Sequence, residues 1–127
     1  MKKEQLKEMY EKYDLQKEDF FKHQHYTIIT RAGIDKIQAI ENIYIDYEVI
    51  ECKELFAVVK ATAAKGNAKI QTFGSALKGD FKSGNCNSFY VMEMAEKRAM
   101  SRAVLKLTGF YQLGHFGEDE SETFKRK

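Results

Sequence analysis

Three segments between residues 43 and 78 alternate side-chain character with a period of two, and only short connections separate them. In residues 43–52, Ile43, Ile45, Tyr47 and Val49 alternate with Tyr44, Asp46, Glu48 and Ile50. That spacing is the mark of a strand with one buried face. Residues 55–64 (LFAVVKATAA) follow the turn Lys53-Glu54, and residues 68–78 (AKIQTFGSALK) follow the tight turn Lys65-Gly66-Asn67. Connections this short leave room only for antiparallel neighbours, so the three segments predict a three-stranded meander. Its apolar face must be covered, because one exposed apolar sheet face is costly.

The cover is predicted to be the helix at residues 88–107. Within AEKRAMSRAVLKLTGF (residues 95–110), Ala95, Ala99 and Ala103 recur every fourth place, and Gly109 stops the run. Met92, Ala95, Ala99, Met100, Ala103 and Leu107 make a mostly small apolar face that lets a helix lie close to a sheet. Glu96 interrupts that face and needs a partner or an edge position. With this face down, Lys97, Arg98, Ser101 and Arg102 are expected on the sides and back. Arg98 and Arg102, four apart, point the same way.

Upstream, residues 2–13 carry Leu6, Met9, Tyr10 and Tyr13 on one stripe, an amphipathic helix. Residues 14–25 read as a short turn or helix with Phe20 and Phe21 packing inward. HYTIIT has strand composition. Thr30 caps a helix over residues 31–42, with Ala32, Ile34, Ile37 and Ile40 as its buried face. The expected fold is α+β, in the order α-β-α-β-β-β-α: a meander covered by a C-terminal helix, with an N-terminal helix and a strand-helix segment. At 127 residues the chain is expected to form one domain, residues 1–127, with 110–127 as an extended or partly flexible tail.

Charge is unevenly spread. Residues 1–54 hold nine Lys/Arg against twelve Asp/Glu, residues 55–109 hold nine against three, and residues 110–127 hold three against four. A basic middle between acidic ends suggests a positive surface on one part of the fold. No apolar run approaches the ~18–20 residues of a membrane span. The polar start lacks a secretory core, so a cytoplasmic protein with free thiols at Cys52 and Cys86 is expected.

Enzyme motifs are missing. The sequence has no GxxxxGK[ST], GxGxxG or GxSxG. His23-x-His25 lacks the further ligands of a metal site. Glu51-Cys52-Lys53 has the E-x-K spacing of metal-dependent nucleases, but the available second carboxylates, Asp35 and Asp46, sit on a helix and on the same strand. Binding features are richer. Lys60 interrupts an apolar strand, Lys65 and Lys69 flank a turn, and Lys78 and Lys82 flank the loop that contains Phe81. Cations bordering a groove track phosphates, and an exposed aromatic stacks on a base. Phe81 and Tyr90 could each do this or anchor into the core.

Residues 94–109 resemble the signature helix of phage-type single-strand annealing proteins, the Erf and Sak groups, which carry approximately A-E-x-x-A-x-[GS]-R-A, then apolar residues and a glycine. Here the pattern is Ala95, Glu96, Ala99, Ser101, Arg102, Ala103, Leu105, Leu107 and Gly109. The preceding meander is similar to the β-β-β-α core of that superfamily, and ITRAGIDKI and GEDES resemble its flanking segments. The resemblance spans about residues 26–121. It implies binding and annealing of single strands without ATP or any other cofactor, by a homo-oligomeric ring or filament working beside a phage exonuclease or replication proteins. The DNA would lie in a positive groove beside the sheet and helix. Arg102 alone matches the motif's basic position; Lys97 and Arg98 are added on charge and geometry.

The expected function is therefore non-enzymatic single-stranded DNA annealing in phage or mobile-element recombination. The nucleic-acid-binding set is Lys60, Lys65, Lys69, Lys78, Lys82, Lys97, Arg98 and Arg102, with Phe81 and Tyr90 for stacking and no metal. The alternatives are a double-stranded nucleic-acid reader, a protein-interaction module that uses its acidic tail, and a nuclease.

Overall fold

The computed structural model describes residues 2–23, 26–79, 84–86 and 89–118. They form a mixed α+β fold with two three-stranded sheets. Helix α1 (Lys2–Lys12) leads into a short 3-10 turn and a hairpin of β1 (Phe20–His23) and β2 (Tyr26–Ile29). The expected turn or helix at residues 14–25 is present as the 3-10 turn Lys17–Asp19, but Phe20–His23 are a strand. Period two then separates the two phenylalanines. Phe20 stacks on Tyr10 with ring centroids 4.8 Å apart, whereas Phe21 is 45 % exposed.

Helix α2 (Arg31–Glu41) starts where the sequence predicts. Thr30 Oγ1 accepts from the Gly33 N–H at 3.2 Å. Its buried stripe differs from the expected one. Gly33, Ile34 and Ile37 are buried, while Ala32 and Ile40 are exposed. The i, i+3, i+4 spacing carries the stripe past Ile40 to Glu41. There Lys12 at 2.8 Å, Lys65 at 3.4 Å and the Tyr13 hydroxyl converge on the carboxylate.

The meander forms as read: β3 (Tyr44–Cys52), β4 (Phe56–Lys65) and β5 (Ala68–Leu77), all antiparallel. A two-residue turn, Gly66-Asn67, joins β4 to β5, and Gly66 takes φ +59°, a conformation open to glycine without strain. Helix α3 (Val91–Thr108) begins three residues later than expected, with Tyr90 as N-cap. It lies across β4 and β5, and the alanine seam sets its distance. A β-carbon on Gly74 would sit 2.5 Å from the Ala99 nitrogen and closer still to the Ala95 carbonyl oxygen. Thr72 Oγ1 donates to Ala99 O at 2.6 Å across the same contact.

The back of α3 is not free, which corrects the sequence reading. Arg98 is 3 % exposed and Ser101 fully buried. Arg98 is buried because it packs against β5 and bonds the Ser75 and Asn85 carbonyls, and Ser101 because α3 has a second cover. Strand β6 (His115–Gly117) pairs in parallel with β2 and lies on α3's other side, where a β-carbon on Gly117 would meet Ser101 Cβ at 2.8 Å. Residues 110–118 are therefore part of the folded body rather than a tail. Phe110 is fully buried, and the Tyr10 hydroxyl shares a 2.7 Å hydrogen bond with His115 Nε2. Glu118 Oε1 accepts from the Arg31 N–H at 2.7 Å and so caps α2. The rest of the expected tail, 119–127, lies outside the described residues. No described helix is long and apolar enough to cross a membrane.

Candidate nucleic-acid interface

The β3-β4-β5 sheet has one covered face and one open face. Register places Ala57, Val59, Ala61 and Ala63 of β4 and Thr72, Gly74 and Ala76 of β5 under α3, and all seven are buried. The opposite phase carries Lys60 and Thr62 on β4 and Lys69, Gln71 and Phe73 on β5. Lys60 lies directly opposite Phe73, which is 51 % exposed. On β3 the same face carries Tyr44, Asp46, Glu48 and Glu51. The open face is therefore split by charge. Its β4–β5 half holds two lysines and no acid, and its β3 half holds three acids.

Each proposed contact residue can be placed on this map. Lys60 is half-buried and pairs with Glu48 at 3.3 Å. Lys69 is exposed at the β5 start, in phase with Phe73. Arg102 crosses from α3 to the β5 edge, where Nη1 donates to Phe73 O at 2.9 Å. Lys78 lies just past β5, its ammonium 4.6 Å from the centre of the Phe89 ring. Phe89 and Tyr90 are each 71 % exposed beside it. These residues line the open face and its β5 edge.

The remaining proposed cations point elsewhere. Lys65 joins the Glu41 cluster near α1. Lys97 is half-buried one turn before Ser101, on the flank of α3 that turns toward β6. Arg98 is built into the fold: Nη1 donates to Ser75 O at 2.8 Å and Nη2 to Asn85 O at 2.7 Å. Phe81 and Lys82 lie outside the described residues.

Arg98, Arg102 and Asn85 together occupy the outer edge of β5 over residues 73–77. The Phe73 and Ser75 carbonyls take the two guanidiniums. Leu77 N–H donates to Asn85 Oδ1 at 2.7 Å, and Leu77 O accepts from Asn85 N at 3.0 Å and Cys86 N at 3.2 Å. An edge occupied in this way is blocked against another strand over that stretch. The Arg102 guanidinium also fixes positive charge along the rim of the open face.

The sequence reading overlooked Phe73 and Phe89. The signal for Phe73 was present, since it falls in the polar phase with Lys69 and Gln71. Phe89 sits in a short loop with no periodicity to reveal it.

Among the described residues, no three His, Cys, Asp or Glu side chains group as a metal site. Glu51 pairs with Lys53 at 3.3 Å, Asp35 with Arg31 at 3.4 Å, and Asp46 Oδ1 accepts from Tyr44. A cleft of about 270 Å³ lined by Tyr10, Glu11, Asp14, Leu15 and Gln16 lies at the end of α1. Cys52 and Cys86 are free thiols, the first exposed and the second buried. No family model matches the chain, and no match to it was found among curated proteins or solved structures.

Proposed function

We propose that the chain binds single-stranded DNA along the β4–β5 half of the open sheet face and anneals complementary strands without nucleotide hydrolysis, as a cytoplasmic protein of phage or mobile-element recombination. The observation that supports this most directly is the acid-free strip holding Lys60, Lys69 and the exposed ring of Phe73, rimmed by Arg102 and Lys78. Cations at the border neutralise phosphates, and an aromatic on a flat sheet stacks on bases of any sequence. The acids of β3 repel a polyanion and steer it to the β5 side. Base pairing itself then drives annealing, so the protein needs only to hold a strand extended. Assembly into rings or filaments, and handover from an exonuclease or replication protein, belong to the same reading.

The test is fluorescence anisotropy with labelled oligo-dT at low and moderate salt, followed by annealing of complementary oligonucleotides without ATP. Binding that weakens with salt, and that falls in Lys69→Ala/Arg102→Ala, supports the reading. Absence of binding at low salt overturns it.

A further inference from the structure

The two edges of the meander are treated differently. The β5 edge is occupied over residues 73–77 by Arg98, Arg102 and Asn85, as described above. Strand β3 runs nine residues, and among the described residues its outer edge has no backbone partner. Register identifies the open groups. Phe73, Ser75 and Leu77 turn outward on β5, so the alternation of antiparallel pairs makes Tyr44, Asp46 and Glu48 bond to β4. Ile45, Tyr47 and Val49 then direct their N–H and C=O groups to the open edge.

The side chains bordering that edge have a defined chemistry. On the open face stand Asp46, Glu48 and Glu51. On the other face, at the margin of the α3 cover, Tyr47 is 43 % and Val49 55 % exposed, with Ile50 46 % exposed at the bulge between them and Glu51. The charges of Glu96, Arg31 and Asp35 act on the Tyr47 hydroxyl, and Arg31 is already paired with Asp35. Lys60 on Glu48 and Lys53 on Glu51 only partly offset the acids of the open face, because surface pairs of this kind are weak.

We propose that the β3 edge receives an extended cationic segment of another protein as a fourth strand, its Lys or Arg side chains facing Asp46, Glu48 and Glu51 and its alternate apolar side chains covering Tyr47 and Val49. Charge complementarity selects this occupant. A second copy of β3, paired antiparallel about a two-fold axis near the strand centre, would set acid against acid, which is destabilising. A nucleic acid strand is repelled by the same acids. Backbone hydrogen bonds supply affinity and the alternating side chains supply specificity, as in other strand additions.

The experiment uses a fluorescein-labelled octapeptide alternating lysine and valine, titrated with the full chain, alongside a version with glutamate in place of lysine and one N-methylated on alternate residues. Saturable binding of the first alone is expected. It should weaken about tenfold or more in Val49→Pro, which removes an N–H that β4 does not use, and similarly in Asp46→Asn/Glu48→Gln. Oligo-dT binding should be unchanged in Val49→Pro, so that this proposal and the annealing reading can fail separately. If Val49→Pro does not fold, the N-methylated peptide applies the same backbone block to the wild-type protein. Three results overturn the proposal: no saturable binding up to about 1 mM peptide; equal binding of the N-methylated peptide; or self-association that Asp46→Asn/Glu48→Gln strengthens, which would make a second copy the occupant.

Discussion

The guanidinium of Arg98 takes the place of a neighbouring strand for Ser75, donating to its carbonyl at 2.8 Å while its other nitrogen holds Asn85 O at 2.7 Å. A residue that reads as a surface cation is thereby a buried structural element. Arg98→Ala leaves these carbonyls unmet and should cost about 3 kcal/mol, within the range for a buried group losing a charged partner. Arg98→Lys should recover only part, because one ammonium cannot reproduce the planar fork. Urea unfolding measures both. A loss below about 1 kcal/mol in Arg98→Ala would contradict the structural role.

Gly74 tolerates no side chain. The atoms that an added methyl would strike are backbone atoms of Ala95 and Ala99, which move only if the whole helix moves. Gly74→Ala should destabilise by about 3 kcal/mol or more. Gly66→Ala, in open space at φ +59°, should cost only about 1 kcal/mol. Thermal melts of the pair separate crowding from conformational strain.

Glu41 should make stability depend on acid. Burial pushes its carboxyl up, but hydrogen bonds from Lys12 and Tyr13 and the charges of Lys65 and Lys12 more than offset this, leaving it at about 2 against an ordinary 4.5. A lowered value means that the ionised form is bound by the fold. Its stabilisation is fully present above about pH 4.5 and is lost as pH falls toward 2, amounting to roughly 2–3 kcal/mol. Asp19, also lowered despite its burial by Lys36 and the Gln16 N–H, acts in the same direction. Denaturant melts between pH 5 and about 2.5 should therefore show a slope that Glu41→Gln reduces and does not abolish.

On the open face, Phe73→Ala should weaken oligo-dT binding about tenfold through lost stacking without changing its salt slope. Lys69→Ala should instead lower the slope of log affinity on log salt by about one. The opposite assignment of the two effects would place the strand elsewhere.

The meander was legible because period two persists through thirty residues with turns at Lys53-Glu54 and Gly66-Asn67, and because Thr30 is an unambiguous cap. The second sheet was not. Strand β1 has four residues and β6 three, too few for a period to register, and β6 joins β2 from 88 positions away, with Thr27 beside His115. That omission misplaced Ser101, since a helix with a single cover has a free back, whereas Arg98 was misplaced because the Ser75 and Asn85 carbonyls that its guanidinium reaches leave no periodic trace. The sequence carried a warning: Met100, Val104 and Leu105 extend the apolar residues of α3 beyond the alanine face, and a second apolar flank needs a second cover. Candidate contacts were legible as residue types but not as a site. Charge counts along the chain do not reveal that Lys65 turns to Glu41 or that Asp46 and Glu48 share a face with Lys60.

Strand β6 also constrains the order in which the chain can fold. The first hairpin, at residues 20–29, finds its third strand only when residues 115–117 are available, after the meander and α3 have been made. Pairing over such a separation carries a large loop-closure cost and is slow. Once formed, it ties the first strands to the last, with α3 clasped between Gly74 and Gly117. The two sheets should therefore be lost together in one cooperative transition, and the N-terminal hairpin should gain protection from hydrogen exchange no earlier than the C-terminal strand that completes it.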